Sequence, residues 1–186
     1  MTDSALMEIF GLLLTALFLW GIVIYNALVR DRNRVLAAWS DISVQLKRRH
    51  DLIPKLVDAV KQYAAYEQAT LSAVTELRTR SEHTQAMAEK GRLETALGAG
   101  IRQLLAVAEQ YPELKANQNF LALQRDVTEV ENHLQYARRY YNGAVRNLNT
   151  RIDSFPDLLL ARLFHFKPHD YFALESEHER QAPEVH

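Results

Sequence analysis

Seven histidines and no cysteine are what this 186-residue chain offers first as chemistry. His178-Glu179 opens like a zinc-protease motif, in which two histidines four apart on a helix hold the ion. The position four residues after His178 is Ala182, so the second ligand is missing. His165 and His169 have the spacing that aligns two imidazoles on one helix face. Pro168 stands between them and stops such a helix from continuing. His133 flanks an apolar stripe and reads as a rim residue. Without cysteine there is no thiolate zinc site, no disulfide framework and no thiol nucleophile. A nucleophile elbow and a phosphate-binding loop are also missing. Gly98 and Gly100 lead into Ile101-Arg102-Gln103 with neither a later glycine nor a preceding strand, so they point to close helix packing. Glu129 and Glu131 fall on different sides of a helix, where both are expected to face water. The residues therefore predict no catalytic centre, no cofactor and no metal site.

The strongest charged feature is Lys47-Arg48-Arg49-His50. A net charge of −1, from 22 basic and 23 acidic residues, and the lack of interleaved aromatic residues argue against nucleic acid as its partner. On a straight helix these residues lie on the order of 25 Å beyond Arg30, well past a Debye length of roughly 8 Å, so attraction to anionic lipid would be weak. Ion pairing within a helical bundle, or with a neighbouring subunit, is the reading preferred for them. Arg30, Arg32 and Arg34 are close enough to a membrane surface to serve as a basic collar. Tyr141 falls on an apolar seam and is expected in the core with its hydroxyl at the edge. Lys47, Arg48 and Arg49, together with Tyr140 and Asn142, are the candidate interaction surface.

Positioning these residues is a matter of helices. From Ile9 to Val29 the chain carries no charge. That run is on the order of 30 Å as a helix, enough to cross a hydrocarbon core. No Lys or Arg precedes it, whereas Arg30, Arg32 and Arg34 follow at once, which predicts an outside amino terminus and a cytoplasmic body. The absence of basic residues ahead of the run also argues against a cleavable signal peptide. Beyond it, Val35, Trp39, Ile42, Leu46, Ile53, Leu56, Val60 and Tyr63 step by four and three, with Arg49 the one dissenting position. Phe120, Leu123, Val127, Val130, Leu134, Ala137, Tyr141, Ala144 and Leu148 do the same without a dissenter. Such spacing marks long helices with narrow apolar seams. Leu93, Leu97, Ile101, Leu104 and Ala108 form a wider face on a middle helix. No window alternates with a two-residue period, so no strand is expected.

The predicted fold is all-α: a single amino-terminal transmembrane helix continuing into an elongated, coiled-coil-like antiparallel bundle of three to four helices. The first helix is expected to run through Pro54 to about Arg80, the second over 84–110, the third over 119–151. A short last helix should follow, with Pro156 in its first turn. The expected organisation is a short extracytoplasmic segment (1–8), the span (9–29), the helical body (30–167) and a tail (168–186). The tail carries five acids against Arg180 alone and reads as solvated and partly disordered. The seams exceed what a slender bundle needs for its own interior, which predicts a homo-oligomer.

Longer motifs add a resemblance. Tyr25-Asn26-Ala27-Leu28-Val29, Arg32-Asn33, Ala38-Trp39-Ser40-Asp41-Ile42 and the run from Val44 to Pro54 resemble the LemA family. So do Leu104 to Glu109, Tyr111 to Asn117, Ala137-Arg138-Arg139-Tyr140-Tyr141-Asn142 and Phe155-Pro156. The likeness extends from about residue 24 to about 172. It implies a single-pass protein of the bacterial inner membrane with a cytoplasmic helical domain and no established catalytic activity. Through the family's gene neighbourhood it also implies a membrane zinc protease as a possible partner. The function expected is that of a membrane-anchored helical scaffold or adaptor. The alternatives are an accessory subunit of a membrane protease or metal-dependent complex, and a membrane-shaping protein.

Overall fold

The computed structural model describes residues 2–172, and side chains from Leu6 onward. Six helices make up its regular structure: α1 (Thr2–Lys61), α2 (Gln68–His83), α3 (Met87–Ala108), α4 (Pro112–Lys115), α5 (Gln118–Asp153) and α6 (Asp157–Leu163). No β-strand occurs among the described residues. The fold is an all-α helical bundle, as the seams predicted.

Two compact units divide the chain. The first takes the residues up to Ala38 with Gly143–His169, and so holds the start of α1, the end of α5 and all of α6. Its core is Ile24, Leu28, Val35, Ala38, Val145, Leu148, Ile152 and Ala161. The second takes Trp39–Asn142 with the described residues after His169. There Ile42, Leu46, Ile53, Leu56 and Val60 of α1 are buried, as are Leu93, Leu97, Ile101 and Leu104 of α3. Val127, Val130, Leu134 and Tyr141 of α5 join that core, with Leu71 and Val74 of α2.

Helix boundaries follow local chemistry. Asn117 caps α5: its Oδ1 accepts from the Asn119 and Phe120 amides at 2.9 and 3.3 Å, satisfying donors that a helix start leaves orphaned. Pro112 occupies the first turn of α4, where its missing amide removes no bond. At the end of α6, the Phe166 amide reaches the Ala161 carbonyl and the His165 amide reaches that of Arg162. His165 sits between them at φ 56°, the left-handed position that glycine usually fills at a helix stop.

Three expectations need correcting. The first helix ends at Lys61 rather than near Arg80. Tyr63 and Ala64 both turn back onto the Val60 carbonyl, and Ala64 is buried. The break contains neither glycine nor proline, so composition gave no warning of it. On α5 the buried stripe passes from Leu134 through Arg138, Tyr141 and Val145 to Leu148, leaving Ala137 and Ala144 half-buried. A straight helix drifts about 20° per heptad against a strict 3.5-residue repeat, which turns Ala137 and Ala144 toward the edge of the stripe. Finally, the tail does not begin in solvent at Pro168. Asn149 Nδ2 donates to the His169 carbonyl and its Oδ1 accepts the His169 amide, both at 2.9 Å. Phe172 is fully buried. The rest of that tail, 173–186, including His178 and Glu179, lies outside the described residues.

Candidate functional site: a buried charge network

In the second unit the dissenting seam residue becomes the centre of a polar network. Arg49, 2% exposed, points from α1 into the interior. Its Nη1 donates to Glu94 Oε2 at 2.9 Å and to the Glu94 carbonyl at 3.0 Å; its Nη2 donates to Glu131 Oε2 at 3.1 Å. Arg49 Nε lies 2.8 Å from Glu131 Oε1, but off the N–H direction, so that contact is ionic rather than a directed hydrogen bond. One guanidinium thus ties α1 to α3 and α5 at once. Gly98 leaves the room: a Cβ there would stand 2.7 Å from Arg49 Nη2.

Glu94 is completely buried and fully engaged. His50 Nε2 is 2.7 Å from its Oε1, and the Ser81 hydroxyl of α2 donates to the same oxygen. Burial by itself raises the Glu94 carboxyl. The His50 hydrogen bond, the Arg49 charge and the Ser81 hydroxyl together outweigh burial and hold the group below its ordinary value. Glu131 goes the other way. Burial pushes it up, and Arg49, Arg138 and Arg102 offset this only partly, with the Glu94 charge adding to the rise. The difference lies in the donors: Glu94 collects three partners, whereas Glu131 depends chiefly on a shared guanidinium.

Pro54 explains the link to α2. Lacking an amide hydrogen, it cannot bond the carbonyl four residues back, that of His50. Arg78 Nε donates to this carbonyl at 2.9 Å, and Arg78 Nη2 lies 3.0 Å from Glu82 Oε1. The helix continues through the proline because a side chain from α2 takes the freed acceptor.

Chemically the cluster is occupied with itself. Ser81, Glu94 and His50 are residue types of a hydrolytic triad, but Ser81 and His50 both bind the carboxylate rather than each other, and Ser81 is fully buried. No nucleophile–base pair results. His50 borders a cleft of about 310 Å³ lined by Trp39, Lys47, Asp51, Glu82 and Lys90 among others. A larger depression of about 430 Å³, bordered by Leu52, Lys55, Tyr63, Leu114, Phe120 and Asp126, brings no set of ionisable groups to a point. No group of three or more histidine, aspartate and glutamate side chains suited to a metal ion occurs among the described residues.

The predicted surface residues separate accordingly. Lys47, Arg48 and Tyr140 are exposed, and Arg48 pairs with Glu129 at 3.2 Å. Arg49 and Asn142 are buried and so belong to no accessible surface, which corrects their assignment. Asn142 Oδ1 accepts the Phe172 amide and its Nδ2 donates to the Phe172 carbonyl, both at 3.0 Å. Phe172 in turn packs on Trp39 and under the Arg138 guanidinium. Tyr141 is in the core as expected, its hydroxyl donating to the Asp170 carbonyl at 2.9 Å, and burial raises that phenol. Glu131 is half-buried and pairs with Arg49 rather than standing in water, a second correction. His133 is a rim residue, 3.6 Å from Glu129. His165 lies beyond α6 in a left-handed turn, so it shares no helix face with His169. In the first unit Arg30, Arg32 and Arg34 are exposed; Arg32 lies over the Phe166 ring and Arg34 pairs with Asp31. Sequence reasoning overlooked Glu94 and Ser81. A lone charged position in an apolar seam was the available signal, because it demands a buried counter-ion.

The family model described as LemA family matches residues 38–186. Protein LemA of Metamycoplasma hominis is 30% identical over 135 residues, covering 70% of this chain and 60% of that protein. Magnetosome protein MamQ 2 of Paramagnetospirillum magneticum is 26% identical over 194 residues, covering 90% of this chain and 71% of its own length. Magnetosome protein MamQ of Magnetospirillum gryphiswaldense is 23% identical, with 85% and 66% covered. The chain thus spans less than two thirds of the length of the LemA relative.

Proposed function

Since the chain belongs to the LemA family, we propose that it is a membrane-associated helical protein whose body serves as a scaffold or adaptor and carries out no reaction of its own. One observation carries this reading. The apolar start of α1 is exposed at every residue from Leu6 to Trp20, while the charged residues of the body that could do chemistry are spent on one another. A helix with so long an apolar skin needs a hydrocarbon environment, and Ile9 to Val29 is long enough to span one. The relatives named as magnetosome proteins support membrane association.

In this reading the chain is a single-pass inner-membrane protein. Arg30, Arg32 and Arg34 hold the body on the cytoplasmic side by the positive-inside rule. The scaffold works by self-assembly and by docking a membrane partner such as a protease, using exposed residues including Lys47, Arg48 and Tyr140. Neither metal nor cofactor is required.

Affinity isolation of the intact protein in mild detergent, followed by particle sizing, tests this. A particle several times the 21.4 kDa chain mass, recovered with the membrane fraction, is the expected result. A monomer without partners, or protein released by alkaline carbonate, overturns it. Substituting Lys47, Arg48 and Tyr140 together should shrink the particle without changing the fold.

A further inference from the structure

In the first unit, α6 lies alongside the apolar run itself. Asp31, just past the uncharged run and its following Arg30, is buried, and its Oδ2 is 2.7 Å from Arg151 Nε of α5. Gly21 is ten residues nearer the amino terminus, on the order of 15 Å along the helix axis. A Cβ at Gly21 would meet Leu160 Cδ2 of α6 at 3.7 Å. Next to it the Tyr25 ring packs at a tilt against Phe164, centroids 4.7 Å apart, and meets Phe166 edge-on at 6.0 Å. α6 therefore occupies the level of residues 17–25, inside the uncharged run.

Its outer surface is apolar. Phe155, Leu159, Leu163 and Phe164 are exposed, Phe155 by 80% and Leu163 by 68%. Together with Leu17, Phe18 and Tyr25, three of these border an open apolar groove of about 490 Å³. The charges of α6 are managed as a bilayer would require. Asp157 is paired with Arg151 at 2.9 Å, and Arg162 is exposed on a side chain long enough to reach a headgroup. Lengths point the same way. Ile24, Ala27 and Leu28 are packed against protein, so the bare helix from Ile9 to Val23 is only about 22 Å, short of a hydrocarbon core of roughly 30 Å. The full uncharged run matches the core only if residues 17–25 are inside it, and α6 with them.

We propose that α6 and its flanking phenylalanines form a second, non-spanning membrane element, seated in the acyl-chain region of the leaflet nearer the body and covered by lipid. This rests on the reading of α1 as a membrane span. The observation behind the proposal is the apposition of α6 to that span with an unpartnered apolar face continuous with it.

The chain has no cysteine, so single cysteines can be introduced without background. L159C, L163C, L13C and Y136C, each in the full-length protein, would carry an environment-sensitive fluorophore in vesicles of phosphatidylethanolamine with a minority of phosphatidylglycerol. Nitroxide-labelled lipids then report depth. Label at Leu13 should be quenched best by deep nitroxides, and label at Tyr136 should show only the background quenching common to all depths. Label at Leu159 and Leu163 should be quenched by shallow nitroxides at least roughly twofold more than at Tyr136, as befits the upper acyl-chain region. Quenching at Leu13 but not at Leu159 or Leu163 overturns the proposal and leaves a simple anchor. So does disulfide or excimer formation between copies at Leu163 without lipid quenching, because protein then covers the face. Failure at Leu13 sinks the span reading, and this proposal with it.

Discussion

The two units of the chain pack the same kinds of helix with opposite chemistry. In the unit built on Trp39–Asn142, charge goes inward: Arg49, His50 and Glu94 are buried where a seam residue should be apolar. In the unit built on the chain up to Ala38 and Gly143–His169, apolar side chains go outward along α1 and α6, while Asp31, Arg151 and Asp157 pair with one another beyond the uncharged run and Arg30, Arg32 and Arg34 stay exposed. A protein in water hides hydrocarbon and shows charge. The second unit bends that rule at one network whose members satisfy one another, and the first reverses it over a whole surface. A satisfied internal network points to a structural role, whereas a surface no protein atom covers points to an external partner.

That contrast can be broken experimentally, beginning with the largest effect. Glu94→Gln leaves a buried Arg49 short of its counter-charge, and should destabilise the protein by about 3–5 kcal/mol, lowering the calorimetric midpoint on the order of 10 °C. Replacing Arg49, Glu94 and Glu131 together by apolar residues of similar volume should recover most of this, because a charge network contributes little beyond an apolar core of the same shape. No recovery would mean that the network does more than hold helices together.

Gly98→Ala should come next, at about 1–3 kcal/mol, since the new methyl meets Arg49 Nη2 at 2.7 Å and the guanidinium is held on both sides. Asn142→Ala should cost a similar 1–3 kcal/mol by orphaning the buried Phe172 amide and carbonyl, with faster hydrogen exchange at Phe172.

Acid sensitivity is the fourth measurement. Glu94 is held below the ordinary glutamate value of 4.5, so its charge adds stability that is fully present above about that pH and is lost as the pH falls through its folded value. Glu131 is raised, so its charged form opposes folding at neutral pH, and that opposition fades as the group protonates on acidification. Urea midpoints should therefore fall below pH 4.5 in the parent and flatten in Glu94→Gln, whereas Glu131→Gln keeps the acid-side fall. The smallest effect belongs to the exposed apolar face. In detergent, Leu159→Ser should change stability by no more than about 0.5 kcal/mol, because most of that side chain is exposed. A large loss would mean that α6 is part of the core.

Particular residues show how far the pattern of letters reaches. Tyr141, Leu97 and Ile101 were placed in the core by spacing alone, since a side chain's face on a helix follows from its position modulo the turn. The end of α1 at Lys61 was not legible, because a turn on the Val60 carbonyl is chosen by what Ala64 packs against rather than by any helix-breaking residue. In the sequence Arg49 stands out as an exception but not as a centre, and the pairing of the Asn142 amide with the Phe172 backbone has no counterpart in the local pattern of letters.

By itself the sequence determined the helical class, the apolar run and the want of thiol or phosphate-loop chemistry, all properties of composition and short-range period. Only the folded chain decided that Glu94 faces Arg49 across 45 positions, that Arg78 takes the carbonyl Pro54 leaves free, and that α6 returns to lie beside Gly21. Those pairings join residues far apart along the chain. Periodicity says which side of a helix is apolar, but which neighbour that side meets depends on loop closure and on burying every charge with a partner.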